Sequence, residues 1–286
     1  MGSRGPRSRE LLGGVGNTAL GVARVRAEES RRPDRLFDDP YARAFLDAAP
    51  GAFAEEERAV PGTGLSSLGA AFYFHGLVRT RFFDDYLLAA CAAGCRQVVL
   101  LAAGLDARAF RLGWPPGVRL FEIDTAEVVD FKERVLAGRR ADPRCERAVV
   151  AADLREGWPA KLRGAGFRSD EATAWLAEGL LIYLSAEEAA RLITATGRLS
   201  APGSRLSFER GDIADAALLA EARQMPAMDK YTALWKGGLG EDASDWLAHH
   251  GWRTQTHDFA TVAASYGRPA PGSVGGGFLT ALRASP

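Results

Sequence analysis

Leu100-Leu101-Ala102-Ala103-Gly104-Leu105-Asp106-Ala107-Arg108 decides the fold of this 286-residue chain. An apolar run enters a glycine turn, the pattern of a buried strand handing the chain to a loop. Asp124 follows Gly104 by twenty residues and closes a second apolar run, Leu120-Phe121-Glu122-Ile123-Asp124. In αβα sheets a glycine at such a turn lets the backbone approach a nucleoside. An acid at that distance accepts from two ribose hydroxyls.

Outward from this pair, apolar runs predict strands at Val98–Ala103, Arg119–Ile123, Ala148–Ala152 and Ala174–Glu178; Arg205–Glu209 reads as a fifth strand, and Trp252–Asp258 and Phe278–Arg283 as two final ones. A helix is expected at 126–138. Ser185 and Glu188 have capping-box spacing and open another that ends before Pro202-Gly203. A long helix over 66–93 carries the stripe Val78, Phe82, Tyr86 and Ala89 and stops at Gly94. Strands alternating with helices imply an α/β fold, a mostly parallel sheet with helices on both faces. The last two strands have only an irregular Pro- and Gly-rich link between them, which predicts an antiparallel ending. Residues 1–16 read as a disordered Gly/Arg-rich tail. Residues 17–286 read as one domain: a helical cap (17–93), a core (94–209), a helical insertion (210–245) and the closing strands (246–286). The insertion carries Met225, Met228, Tyr231, Leu234 and Trp235, an apolar content that suits a lid and core packing equally.

Lys+Arg and Asp+Glu are equal at 36 each, so no global charge favours nucleic acid or an anionic membrane. Arg4, Arg7, Arg9 and Arg31-Arg32 read as solvated tail and loop. No apolar run reaches membrane-spanning length and no signal-type segment opens the chain, which suggests a cytoplasmic protein. Cys91, Cys95 and Cys145 are an odd, sparse set that fits a reducing compartment; Cys91 and Cys95 read as small core residues, and no metal site is expected.

A dinucleotide site needs G-x-G-x-x-G, and only one of those three glycines is present; no tyrosine has a lysine four residues on. Both facts count against a nicotinamide oxidoreductase. A cofactor without phosphate, S-adenosyl-L-methionine, needs one glycine and a wider turn. Asp153-Leu154 ends the third strand, where the acid can accept from an adenine amino group and the following amide can face a ring nitrogen. Glu178 ends the fourth. Each acid alone is a weak signal, because acids commonly end strands as helix caps; the ordered series at strand ends points to a ligand.

Asn17-Thr18-Ala19, Arg26-Ala27-Glu28-Glu29-Ser30, Arg32-Pro33-Asp34, Leu36-Phe37-Asp38-Asp39-Pro40-Tyr41-Ala42, Arg79-Thr80-Arg81, the Ala102–Asp106 turn, Glu122-Ile123-Asp124, Ala152-Asp153-Leu154 and Glu178–Tyr183 together resemble the leucine carboxyl methyltransferase family, most closely its actinomycete-type S-adenosyl-L-methionine-dependent branch. The resemblance spans about residues 15–210 and the last strand. It implies a Rossmann-like class I methyltransferase with strand order 3-2-1-4-5-7-6. It implies that Gly104 is the close-approach turn, that Asp124 holds the ribose and that Asp153 and Leu154 hold the adenine. It also implies that Arg79 pairs with the methionine carboxylate and that Glu178 lies near the methionine amino group. Ala102 departs from the glycine common in eukaryotic members and crowds the turn.

Arg79 and Arg81 stand about 200° apart on a helix, so only one can face a site; Arg81 is placed to pair with Asp84 or Asp85. A carboxylate acceptor is ionised at neutral pH and needs no base, whereas a hydroxyl acceptor does. His75, His249, His250 and His257 form no recognisable acid–base arrangement. His75, one turn before Arg79, is a candidate for the mouth of the site as well as for the core, and Tyr183 is a candidate to face the acceptor. The expectation is an O-methyltransferase acting on a carboxylate of a small molecule or peptide. The alternatives are methylation of a hydroxyl on a secondary metabolite and a non-catalytic S-adenosyl-L-methionine-binding module.

Overall fold

Val98, Val99, Leu100 and Leu101 leave no polar side chain for solvent, and the strand they form, β1 (Gln97–Leu101), is buried on both faces. Such continuous apolar strands belong at the centre of parallel sheets. The computed structural model describes residues 14–52, 67–210, 235–240, 242–270 and 276–285. Around β1 stand β2 (Arg119–Asp124), β3 (Glu146–Ala151), β4 (Thr173–Ala177), β5 (Arg205–Arg210), β6 (Trp252–Asp258) and β7 (Gly277–Arg283). They make a seven-stranded sheet of order β3-β2-β1-β4-β5-β7-β6, as the family resemblance implied. β1 through β5 pair in parallel, and β7 runs antiparallel to both β5 and β6.

The two-residue period of a strand sorts its side chains into two cores. Val98 and Leu100 of β1, with Ala174 and Leu176 of β4, pack on one face; Val99, Leu101, Trp175 and Ala177 pack on the other. The first face is covered by α1 (Gly14–Glu29), α2 (Ala42–Asp47), α3 (Ser67–Ala92), α4 (Arg108–Arg111) and α5 (Ala126–Gly138). The second is covered by α6 (Trp158–Gly164), α7 (Ala186–Arg198) and α8 (Ala243–His249). In α7 the expected capping box is present: Ser185 Oγ accepts from Glu188 N at 3.2 Å, and Glu188 Oε2 accepts from Ser185 N at 2.8 Å. Two residues past the end of α3, Gly94 with its φ of +109° turns the chain out of the helix direction.

Two expectations need correction. Helix α1 starts at Gly14, inside the stretch read as tail, because a helix anchored by buried Leu20 and Ala23 propagates outward at little cost. The link between β6 and β7 is not wholly irregular: it contains α9 (Phe259–Ser265). Asp258 Oδ1 accepts from Thr261 N at 2.8 Å and caps that helix, and Phe259 and Ala263, four apart, give it a buried face. The rest of the tail, residues 1–13, and most of the insertion, residues 211–234, lie outside the described residues. Among the described residues no helix is long and apolar enough to cross a membrane.

The closing strand is locked to the helical face through Phe278. Its ring stacks on Phe82 at 4.1 Å, and Phe83 and Phe259 meet it at 5.4 and 6.0 Å. The adjoining Gly277 is obligatory, since a Cβ there would collide with the His257 carbonyl oxygen. Phe278→Ala is expected to cost about 3–5 kcal/mol, the usual loss for a fully buried phenylalanine, measured as a lowered urea midpoint at unchanged slope.

Candidate functional site

The turn after β1 is built from two left-handed residues. Gly104 has φ +52° and Ala102 has φ +53°. Glycine takes this conformation freely, whereas a residue with a Cβ pays about 1–2 kcal/mol for it. The crowding expected at Ala102 is therefore expressed as backbone strain. Asp124, at the tip of neighbouring β2, ties the turn down: its Oδ2 accepts from Gly104 N at 2.6 Å and its Oδ1 from Thr125 N at 2.7 Å. Burial raises the Asp124 carboxyl above its usual range, with the two amides opposing.

The turn opens onto a cavity of about 330 Å³ at the carboxyl ends of β1 to β4, where open α/β sheets hold ligands. Arg79, Ala102, Gly104, Asp124, Asp153, Leu154 and Glu178 all line it, and so does Tyr183 from the short turn Leu181–Tyr183. Asp153 faces Arg155, whose amide and guanidinium both donate to it; this hydrogen bonding lowers its carboxyl. Arg81 points away from the cavity and pairs with Asp85 at 3.0 Å, as the 200° separation requires.

His75 does not reach this cavity. It is 3 % exposed and stacks on Phe259 at 5.0 Å, behind the site. Burial, helped by the nearby Arg79 cation, pushes its pKa down to about 3, so it is a neutral core residue. His249 and His250 close α8, each with Nδ1 2.7 Å from a carbonyl oxygen four residues earlier.

Glu178 is the hub of the site. Its Oε1 accepts from Arg26 Nη2 and Arg79 Nε, each at 3.1 Å, and its Oε2 from Arg108 Nη1 at 2.6 Å. Burial opposes its ionisation, but the guanidiniums of Arg108, Arg26 and Arg79 outweigh it and hold the carboxyl well below the usual range. Arg108, with no exposed surface, also grips Asp84 at 2.6 Å and Asp106. Arg111 reaches the same Asp84 at 2.6 Å.

Sequence reasoning missed Arg26, Arg108, Glu209 and Lys236. Ala19, Val22 and Arg26 share a helix face by their three- and four-residue spacing, and all line the cavity. Glu209 continues the series of acids at strand ends, one strand further. Lys236 lines the rim and pairs with Glu188 at 3.1 Å; its backbone N donates to Ile182 O at 2.7 Å.

The residues present suit an S-adenosyl compound. One end of the cavity offers guanidiniums beside a carboxylate, which matches a zwitterionic amino-acid group; among the described residues the buried Arg26 Nε there has no hydrogen-bond partner. The other end offers an open glycine turn and two acids, which matches a nucleoside. A model of the leucine carboxyl methyltransferase family matches residues 19–197. The chain belongs to the leucine carboxyl methyltransferase family. It is an S-adenosyl-L-methionine-dependent methyltransferase.

A relative from Parafrankia, provisionally named an S-adenosyl-L-methionine-dependent methyltransferase, is 53 % identical over 276 residues, 95 % of this chain and 88 % of its own. A Streptomyces avermitilis protein with the same provisional name is 43 % identical over 256 residues, 90 % of this chain and 89 % of its own. The crystal structure of a DUF574-family protein from Streptomyces avermitilis shares the fold, with a TM-score of 0.60 at 15 % identity, covering 89 % of this chain and 97 % of its own.

The neutral, buried state of His75 fixes a pH dependence. Its folded pKa lies below its unfolded one, so the unfolded chain binds the extra proton between pH 6.5 and about 3. Stability from this group is complete above pH 6.5 and is lost as the pH falls through that window. Urea denaturation of His75→Phe is expected to show a stability-versus-pH slope shallower than the parent's by up to about 1.4 kcal/mol per pH unit there. Parallel curves would show that His75 takes up its proton in the folded state.

Proposed function

We propose that this methyltransferase esterifies a carboxylate of a small molecule or peptide. The observation that carries the proposal is the withdrawal of His75: this imidazole, one helical turn from Arg79, is stacked on Phe259, and its low proton affinity makes it a poor base. A hydroxyl acceptor must lose a proton as it is methylated, and a base of that strength takes one badly at neutral pH. A carboxylate arrives already ionised. The family to which the chain belongs is named for carboxyl methylation, which supports the same acceptor class.

In this mechanism the chain's own work is positioning, which is the main source of rate when donor and acceptor are both already activated. Bound S-adenosyl-L-methionine supplies an electrophilic methyl carbon on a sulfonium. Asp124 receives the ribose hydroxyls with the lone pairs that Gly104 and Thr125 leave free. Asp153 and the Leu154 amide receive the adenine, Arg79 the methionine carboxylate, and Glu178 lies beside the methionine amino group. Tyr183, which lines the cavity, faces the acceptor. Leu100, Leu101, Leu105 and Leu176 supply aliphatic wall.

Two experiments bear on these assignments. With methyl-tritiated S-adenosyl-L-methionine and a panel of carboxylic acids, alcohols and phenols, the labelled product is expected to release volatile methanol under mild alkali, as an ester does. Label that survives alkali, as an ether's does, would overturn the acceptor class. Asp124→Ala is expected to weaken binding of S-adenosyl-L-homocysteine by about 2–4 kcal/mol, the worth of two hydrogen bonds to a charged group. Unchanged calorimetric affinity in the folded variant would refute the ribose assignment.

A further inference from the structure

Arg79 lines the cavity, yet one of its anionic partners does not. Glu209, near the end of β5, lies behind the wall and faces Arg79 Nη1 at 3.0 Å with only 12 % of its side chain exposed. Both its oxygens also accept from Gly179 N, at 2.8 and 3.0 Å. Gly179 has φ +61°, and a Cβ there would stand 3.3 Å from Arg79 Nη1. The missing side chain is what lets the guanidinium lie along this peptide.

The other partner, Glu178, is shared. Its Oε1 serves Arg26 as well as Arg79, and its Oε2 serves Arg108. Through Nε alone the guanidinium would be tethered at one atom and free to swing about it. Glu209 supplies the second tether. Among the described residues Arg79 Nη2 makes no hydrogen bond, so a planar group fixed at two nitrogens keeps a third for a ligand. Carboxylate recognition by arginine depends on holding that plane in register.

We propose that Glu209 is a positioning residue for methyl-donor binding: with the Gly179 peptide, it sets the plane of Arg79 so that the guanidinium meets the carboxylate at the donor's amino-acid end. This rests on the assignment of Arg79 to that carboxylate made above. Glu209 itself touches neither donor nor acceptor. A glutamine at 209 would keep the volume and an acceptor for Gly179 N, but would lose the charge facing Nη1.

Calorimetry with two ligands tests this without an acceptor. S-adenosyl-L-homocysteine carries the amino-acid end; 5′-methylthioadenosine keeps the nucleoside and sulfur and lacks it. Glu209→Gln is expected to weaken S-adenosyl-L-homocysteine about tenfold, roughly one charge-assisted contact, and to leave 5′-methylthioadenosine unchanged. In Arg79→Gln the same selective loss should be larger, and adding Glu209→Gln to it should cost nothing further.

If Glu209→Gln weakens both ligands equally, the residue is merely structural and the proposal falls. It falls too if Arg79→Gln is selective while Glu209→Gln keeps the parent affinity. If Arg79→Gln spares both ligands, the Arg79 assignment itself has failed. Should Glu209→Gln not fold, as judged by thermal unfolding, Glu209→Asp keeps the charge one methylene shorter. It is expected to give an intermediate, still selective loss; parent affinity for both ligands there would count against the proposal.

Discussion

A single carboxylate, Glu178, gathers the site. It stands just past the tip of β4 and is gripped by guanidiniums from α1, α3 and α4. Ionising a buried carboxyl carries a desolvation cost of several kcal/mol, and only close, well-aligned cations offset it. Here four guanidiniums (Arg26, Arg79, Arg108 and Arg111) meet four carboxylates (Glu178, Glu209, Asp84 and Asp106) at 3.1 Å or closer. The cluster is nearly neutral as a whole, which is what allows Arg108 to sit with no exposed surface. Such a network adds little to net stability, since apolar replacements often pack as well, but removing one member strands its partners. Three helices are thereby fixed relative to the sheet edge on which the cavity lies.

The centre of the sheet was legible because β1, β2 and β4 are apolar runs bounded by turns, and period and length suffice to read those. The Gly104–Asp124 spacing was legible for a different reason: both residues act at adjacent strand tips, and one crossover fixes their separation. The ion cluster was not legible. Glu178 meets Arg26 across 152 residues of sequence, Arg79 across 99 and Arg108 across 70. No local pattern distinguishes an arginine that will be buried among carboxylates from one that will be solvated. His75 shows the same limit. Its four-residue spacing from Arg79 placed it on the right helix face, but its depth is decided by Phe259 and Phe278, which arrive from the far end of the chain. Helix α9 was legible in principle, through the cap at Asp258 and the Phe259–Ala263 pair, and was hidden by the Pro- and Gly-rich stretch that follows it.

The strain at Ala102 and the charge cluster answer the same problem. A turn that brings backbone close to a ligand must leave the favoured regions of backbone space, and residues in such conformations persist only where surrounding contacts over-determine them. Asp124 supplies part of that constraint through Gly104 N, and the Ala103 amide adds to it by donating to Ile123 O at 2.9 Å. The acid assigned to the ribose is therefore also a strut of the turn. Its raised proton affinity follows from burial that two amide donors only partly offset.

Commitment of the charges to one another has a further consequence for chemistry. Where guanidiniums and carboxylates neutralise each other within the cluster, the field they project into the cavity is small. The adjoining wall is aliphatic carbon from Leu100, Leu101, Leu105 and Leu176. Charges are less well solvated beside such a wall than in water, because the effective dielectric is lower. A cationic donor meeting an anionic acceptor gains from that environment, since both charges vanish as the methyl group moves. A neutral hydroxyl acceptor gains nothing comparable and leaves a proton to be placed. The proposal of a carboxylate acceptor therefore has an electrostatic argument behind it that is independent of where His75 sits.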